Sequence, residues 1–151
     1  LGQAGYERVH PSNPFTYLPE LAGRARNETP YVVVDFHAVT TAEKNTMFYC
    51  ADSEVSAVIG TGTRVQTDDA RIMPGGTAVI TDAGRTGSRD SVAGLDPAPE
   101  IRKFVTSMPE RSSDAWDALE LQGVILDIGP DGKAASIEPI AHACKREEAD
   151  D

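Results

Sequence analysis

Two glycine-containing polar loops hold the residues of this sequence that could do chemistry. Each loop follows a short apolar run rich in β-branched residues, at 56–59 and 77–81, which is typical of a buried strand. Glycine lets the backbone approach a ligand, and ligands bind beside the carboxyl ends of strands in open α/β sheets, so a site is expected here. The polar residues of the two loops are Thr61, Thr63, Arg64, Gln66, Thr67, Asp82, Arg85 and Thr86. This set contains neither a nucleophile paired with a base nor a cluster of metal ligands.

A third apolar run, YVVVDF at 31–36, predicts another buried parallel strand and places His37 directly after it. A position at the carboxyl end of a strand suits a site residue. Taken from the residues alone, a histidine whose ring is satisfied by neighbouring backbone is the favoured interpretation, and a functional histidine is the alternative.

Helices are predicted before, between and after these strands. Apolar residues spaced at three and four positions predict a helix at 15–26 that packs on the sheet. A second helix is expected at 42–49, capped by Thr40 or Thr41, with Glu43 where a capping box needs an acid. A third is expected from Pro99 to about Met108, and its apolar residues are expected to pack in the core. These residues are Ile101, Phe104, Val105 and Met108.

The end of the sequence predicts a β-hairpin over residues 119–140. Two alternating runs, at 119–128 and 133–140, surround the turn signal GPDG. Between helix and hairpin, Trp116 is expected to anchor a loop. The domain organisation predicted from these patterns is an N-terminal loop and helix at 1–30, one α/β half-domain at 31–144 and a disordered acidic tail at 145–151.

Composition narrows the function classes further. The 151 residues carry a net charge of -10, which argues against nucleic acid or an anionic membrane as a general partner. No apolar run approaches the roughly 20 residues that span a bilayer. Cys50 and Cys144 have no metal-binding spacing. Buried free thiols in a reducing compartment are the favoured interpretation, which predicts a cytoplasmic protein, and a disulfide bridge is the alternative. The signatures GxSxG, GxxxxGK[ST] and HExxH are absent from the sequence. Because it begins at Leu1 without an initiator Met, a processed or partial chain is expected.

The segments VDFHAVTTAEK, GTGTRVQT and RIMPGGTAVITDAGRTG resemble the C-terminal half of the YmdB-type phosphodiesterases, a bacterial branch of the calcineurin-like metallophosphoesterases that acts on cyclic nucleotides. The resemblance covers about a hundred residues. It implies an α/β fold, half of a metallophosphoesterase sandwich, with central strands near 31–36, 56–60 and 77–81 and the C-terminal hairpin at an edge. The exposed side of such a half would be covered by a protein partner, a second copy or a segment outside this sequence.

The resemblance also implies a site with two metal ions, and this sequence departs from that pattern. Two metal-binding histidines of the family stand here as Gly62 and Arg64, and the family's acidic residue near His37 is replaced by Val39. Only His37 matches a histidine ligand. The motifs that supply ligands from the family's N-terminal half do not occur in this sequence. A manganese, iron or zinc pair is therefore expected only if the missing half is supplied.

Three functions follow from this pattern as hypotheses. The favoured one is a metal-free relative without catalytic activity that serves as a structural or interaction module. The second is a metal-dependent phosphodiesterase of the 2′,3′-cyclic nucleotide type, completed by an N-terminal half, with His37 as the ligand contributed here. The third is a sensor that binds phosphate or a nucleotide anion, since an arginine can hold an anion bidentately. Its candidate anion-binding residues are Arg64, Arg85, Thr61 and Thr63. The alternative for Arg64 is a side chain that faces solvent or pairs with a neighbouring acid such as Asp82.

Overall fold

The structure is a computed structural model that describes residues 12–144. Its described residues divide into two compact units. The first comprises residues 12–84 together with Val124–Pro139, and the second comprises Arg85–Gly123 together with residues 140–144. The predicted disordered tail at 145–151 and most of the predicted N-terminal loop, including His10, lie outside the described residues.

A four-stranded mixed sheet organises the first unit. Its strands are β1 (Val33–His37), β2 (Ala57–Thr61), β3 (Arg71–Ile72) and β4 (Ala78–Ile80), in the order β1-β2-β4-β3. β1, β2 and β4 are parallel, and β3 runs antiparallel to β4. The carboxyl ends of the three parallel strands therefore meet at one edge, where the sequence predicts a site.

Two helices cover one face of this sheet. Helix α1 (Pro14–Arg26) begins at the Asn13 cap, and α2 (Thr41–Ala51) begins at Thr40, whose hydroxyl accepts the Glu43 backbone N–H. Buried apolar side chains of both helices pack with those of the strands, and the rings of Phe15 and Phe36 meet edge to face at 6.2 Å. The predicted helices at 15–26 and 42–49 are confirmed, as is capping by Thr40.

The predicted C-terminal hairpin is confirmed as β6 (Leu119–Ile128) and β7 (Ala134–Ala143). Its predicted place at an edge is wrong, because both strands belong to a sheet separate from that of β1 to β4. Both strands run from one unit into the other. In the first unit, Ala134, Leu126 and Ile137 pack on Ala57 and Ala78 at the face of the sheet opposite the helices. On the neighbouring β1, the alternate residues Val33, Asp35 and His37 are exposed.

The second unit contains helix α3 (Pro97–Thr106) and the short strand β5 (Gly87–Ser88), which pairs antiparallel with the first residues of β6. The helix begins two residues earlier than predicted because the Asp96 side chain caps it, with Pro97 at its first position. It ends at Ser107, which has the left-handed conformation at φ 56°.

Three expectations about burial are wrong. The apolar face of α3 does not pack in the core, since Phe104 is 84% exposed and Val105 79%. Ile101 on the same face is exposed as well, and so is Met108, which lies beyond the end of the helix. Apolar spacing defines a face and not what covers it. Trp116 is 74% exposed and so does not anchor its loop through burial. Cys50 and Cys144 are free, as predicted, but both are exposed rather than buried.

Candidate functional site

His37 lies at the carboxyl end of β1, directly beside Thr61 at the end of β2. The Thr61 hydroxyl donates a hydrogen bond of 2.9 Å to the Asp35 carboxylate, and His37 Nδ1 lies 3.1 Å from the same hydroxyl oxygen. A threonine hydroxyl has one hydrogen, and a carboxylate only accepts. The Thr61 oxygen must therefore accept from Nδ1–H, so the neutral ring keeps its lone pair on Nε2. The side chain of His37 is exposed, which leaves this nitrogen open to a ligand.

Asp82, two residues beyond β4, holds the loop that follows Thr61. Its Oδ2 accepts hydrogen bonds from the Thr63 backbone N–H at 2.8 Å and the Thr63 hydroxyl at 2.6 Å. The same oxygen lies 3.0 Å from Lys44 Nζ, and both side chains of this ion pair are 0% exposed. Asp82 Oδ1 accepts from the Gly84 backbone N–H at 2.9 Å. One carboxylate thus joins helix α2 to the loops after β2 and β4.

The electrostatic surroundings keep Asp82 ionised. Burial raises the pKa of the Asp82 carboxyl, but hydrogen bonds from Thr63, Lys44 and Gly84 outweigh burial and bring the pKa below the ordinary value of 3.8.

A second carboxylate, Asp69, holds the same loop farther along. It accepts hydrogen bonds from the Thr67 hydroxyl and from the backbone N–H and hydroxyl of Thr81. Burial raises the pKa of the Asp69 carboxyl, but these bonds and the nearby Arg71 leave it below the ordinary 3.8. The loop after β2 is thus attached to the end of β4 at two points.

Gly62 makes the close approach between the loop and β1 possible. Its φ is +118°, and a Cβ there would lie 2.6 Å from the backbone oxygen of Ala38 and 3.3 Å from the His37 ring. A histidine at this position would need the loop to take another conformation. The resemblance implies a histidine here, so restoring it by Gly62→His alone would not give a metal ligand in this backbone.

The candidate anion-binding residues differ in what their side chains already contact. The Thr61 and Thr63 hydroxyls donate to carboxylates, as described above. Arg64 is exposed with φ +62°. Arg85 belongs to the second unit, where its Nη2 donates to the Ser88 carbonyl oxygen at 2.5 Å and to the Ser91 hydroxyl at 3.2 Å. The predicted anion site stays a prediction.

Lys44 is the residue of this region that sequence reasoning missed. It forms the buried ion pair with Asp82, and it shares its helix face with Met47, Phe48 and Ala51, all buried. The spacing of three, four and seven positions is readable in the sequence and would have placed the lysine on the packed side of α2. A lysine on such a face requires an acidic partner, because a buried charge without one is costly.

The described residues do not form a metal centre. No group of three or more His, Cys, Asp or Glu side chains that could hold a metal occurs among residues 12–144. His37 offers one nitrogen of the kind that binds manganese, iron or zinc, and its Nδ1–H is fixed by a hydrogen bond as in many metal-binding histidines. One such ligand does not hold a metal pair.

A cavity of about 230 Å³ lies at the opposite end of the same sheet. Its lining comes from residues that precede the parallel strands, among them Pro30, Val55 and Gly76, and from Lys133 of the hairpin turn. Arg26 and Glu54 pair at its rim at 2.9 Å.

Within the part of the chain that the structure describes, no helix is long and apolar enough to cross a membrane.

A matching family and similar curated proteins agree on the kind of protein that this chain resembles. The family described as "YmdB-like protein" matches residues 1–140. A 2′,3′-cyclic-nucleotide 2′-phosphodiesterase of Bacillus subtilis is 44% identical over 123 residues, which cover 82% of this chain and 47% of that protein. A putative phosphatase/phosphodiesterase of Mycoplasma pneumoniae is 37% identical over 118 residues, covering 78% of this chain and 41% of that protein.

Solved structures give the same result for the fold. A hypothetical protein from Thermus thermophilus superposes with a TM-score of 0.84 at 30% identity, covering 94% of this chain and 54% of that one. A phosphatase from Mycoplasma pneumoniae superposes with a TM-score of 0.82 at 34% identity, covering 92% and 50%. The chain spans about half the length of the relatives it matches. With a family match over residues 1–140, this chain belongs to the YmdB-like protein family.

Proposed function

We propose that this chain is one half of a phosphodiesterase acting on 2′,3′-cyclic nucleotides, and that His37 is the group it contributes to the reaction. The observation that carries the proposal is the hydrogen-bonded series from His37 through Thr61 to Asp35, which leaves the lone pair on Nε2 of an exposed side chain. The name of the Bacillus subtilis relative supports the substrate class.

An exposed imidazole nitrogen held in one orientation can accept a proton or bind a cation at the reacting phosphate. The remaining groups that the reaction needs, including those that stabilise charge on the phosphate oxygens, would come from residues outside the described chain. A manganese, iron or zinc pair belongs to the proposal only in that completed form. The described residues alone do not fit such a pair.

The proposal also requires something to complete the site beside β1. Val33 and Asp35 are exposed on the strand that carries His37, on the face opposite the helices. A protein partner, a second copy or a further segment of a longer polypeptide would cover these residues. Intact-mass analysis of the native assembly identifies which of these is present.

A catalytically inactive structural or interaction module is the second candidate. It is favoured by Gly62 and Arg64, which stand where the resemblance implies two metal-binding histidines. The backbone at Gly62 has no room for a side chain. An anion sensor using Arg64 is tested separately, by calorimetric titration with phosphate or a nucleotide. The absence of heat at millimolar ligand would eliminate it.

Hydrolysis of 2′,3′-cyclic AMP by the complete natural protein that contains this sequence is the test. The His37→Ala variant is expected to lose about 10²–10⁴-fold in kcat/KM, the range typical of a lost acid–base group. His142→Ala is the matched control, because His142 is an exposed histidine on β7 and its loss should leave the rate unchanged. Equal rates for His37→Ala and the wild type would overturn the role of His37. An inactive, metal-free natural protein would support the second candidate.

A further inference from the structure

The buried ion pair between Lys44 and Asp82 does more than join a helix to a sheet. Both side chains are 0% exposed, and Lys44 lies on the packed face of α2. Taking two charges out of water is costly, and well-packed apolar side chains often replace such a pair without loss of stability. A contact whose only purpose was helix packing would need no charge at this position.

The bonds that Asp82 makes indicate what the charge is for. Its Oδ2 receives Lys44 Nζ and two donors from Thr63. A carboxylate accepts several donors at once, and bonds to an ionised acceptor are about twice as strong as neutral ones. Lys44 balances the charge of the buried carboxylate, and the ionised carboxylate holds both polar hydrogens of Thr63.

Thr63 is two residues from Thr61, the residue that orients His37. Gly62 lies between them, and glycine can adopt more backbone conformations than any other residue type. The Ala38 backbone N–H holds the carbonyl oxygen of Thr61 at 3.1 Å, on the near side of Gly62. Thr63 is held on the far side by Asp82. Hydrogen bonds thus hold the backbone on both sides of Gly62, and together they fix the position of the Thr61 hydroxyl.

We propose that Lys44 is a positioning residue for His37. It acts through Asp82 and Thr63 to keep the Thr61 hydroxyl within hydrogen-bond distance of His37 Nδ1. The His37 proton then stays on Nδ1 and the lone pair on Nε2. The inference deepens the proposed function, on which its relevance to catalysis rests, but the ring geometry is testable without any assay of activity.

Two measurements on the purified protein test this. Long-range ¹H–¹⁵N spectra of the His37 ring report its tautomer, and amide hydrogen exchange reports the bond from Thr63 N–H to Asp82. The variant is Lys44→Met together with Asp82→Leu, which removes both charges and leaves no unpaired buried ion. Exchange at Thr63 is expected to become about tenfold faster or more, as for loss of a hydrogen bond to a charged group. The His37 ring is expected to shift toward the Nε2–H tautomer.

Lys103→Met is the matched control. It removes a lysine from the Lys103–Glu100 ion pair of α3, and it should change neither measurement. A folded double variant with the wild-type His37 tautomer and wild-type exchange at Thr63 would overturn the proposal. If the double variant does not fold, Thr63→Val decides, because it changes an exposed loop residue and removes one of the two bonds. An unchanged His37 tautomer in that variant would overturn the proposal as well.

In the complete natural protein, a loss of kcat with little change in KM is expected for the double variant. A changed tautomer without that loss would leave the positioning role intact and count against the proposed function.

Discussion

The two ends of the parallel sheet in the first unit use charge in different ways. At the carboxyl end, Lys44 and Asp82 are fully buried, and the carboxylate also binds two further residues through the bonds described above. At the amino end, Arg26 and Glu54 form a single pair whose side chains are 47% and 44% exposed. Exposed pairs contribute little, whereas a buried charge that loses its partner is strongly destabilising. The comparison indicates that the carboxyl end is built to fix backbone and side-chain positions, and the amino end is not.

The largest expected effect is that of Lys44→Met. The substitution leaves the Asp82 carboxylate buried without its cation, and the free energy of unfolding should fall by about 3–5 kcal/mol. Adding Asp82→Leu should recover most of the loss, because the site then holds two apolar side chains. Urea unfolding of both variants measures this. A loss under about 1 kcal/mol for Lys44→Met, the range of exposed pairs, would remove the contrast between the two ends of the sheet.

The next effect is steric and also lies near the carboxyl end. A Cβ added at Gly60 would lie 1.9 Å from the backbone oxygen of Thr81, so Gly60→Ala must push β2 and β4 apart. We expect a loss of about 1–3 kcal/mol or more, as for other overpacked sites. Gly23→Ala is the control, because it adds a methyl group with nothing within 4 Å in helix α1. Since alanine is a better helix former, the control should stabilise by about 0.5–1 kcal/mol. Equal effects of the two variants in thermal unfolding would contradict this account of the strand contact.

The pH dependence of stability should follow the two carboxylates that hold the loop after β2. The pKa values of Asp69 and Asp82 are lowered in the folded protein. A lowered folded pKa gives stability that is present above the unfolded value near 3.9 and is lost as the pH falls through the folded value. Melting temperatures at pH 7, 5 and 3 should therefore drop most steeply below pH 4.

The Asp69→Asn variant should melt lower at pH 7 and lose less on acidification. Asp131→Asn, at the amino end, is its matched control, because that carboxylate is exposed and accepts a hydrogen bond from the Lys133 backbone N–H. The control should retain the wild-type slope. If Asp69→Asn and Asp131→Asn give identical slopes, the loop carboxylates are not the source of the acid sensitivity.

The smallest expected effect is that of Arg26→Ala. It removes the exposed pair with Glu54, so the free energy of unfolding should change by about 0–1 kcal/mol. Urea unfolding alongside Lys44→Met gives the comparison directly. A loss as large as that of Lys44→Met would show that the amino end also depends on a specific charge.

The backbone elements could be predicted from the sequence where their signals are local. The cap at Thr40, the turn signal of the hairpin and the apolar runs each specify their own element, and the strand bounds differ from the predicted ones by one or two residues at most sites. The two-residue strands β3 and β5 were not predicted, because two residues carry no periodicity. The exposed face of α3 shows what apolar spacing does not predict. Its spacing fixes which residues share a face, but burial depends on a surface that no local pattern describes.

The sequence locates the candidate site but does not specify which side chains contact one another there. His37 was expected at the end of a strand, and it is there. The Asp35–Thr61–His37 series depends on the register of β1 with β2, in which His37 pairs with Thr61. Neither the register nor the Lys44–Asp82 pair, 38 residues apart along the chain, follows from residue spacing alone.

The tautomer of His37 in the wild-type protein tests the central claim most directly. In ¹H–¹⁵N spectra recorded with the ring neutral, we expect the proton on Nδ1 and a bare Nε2, because the Thr61 oxygen accepts from Nδ1–H. The Thr61→Val variant should lose this preference. A proton on Nε2 in the wild-type ring, unchanged in Thr61→Val, would contradict the claim that this end of the sheet is organised to present His37.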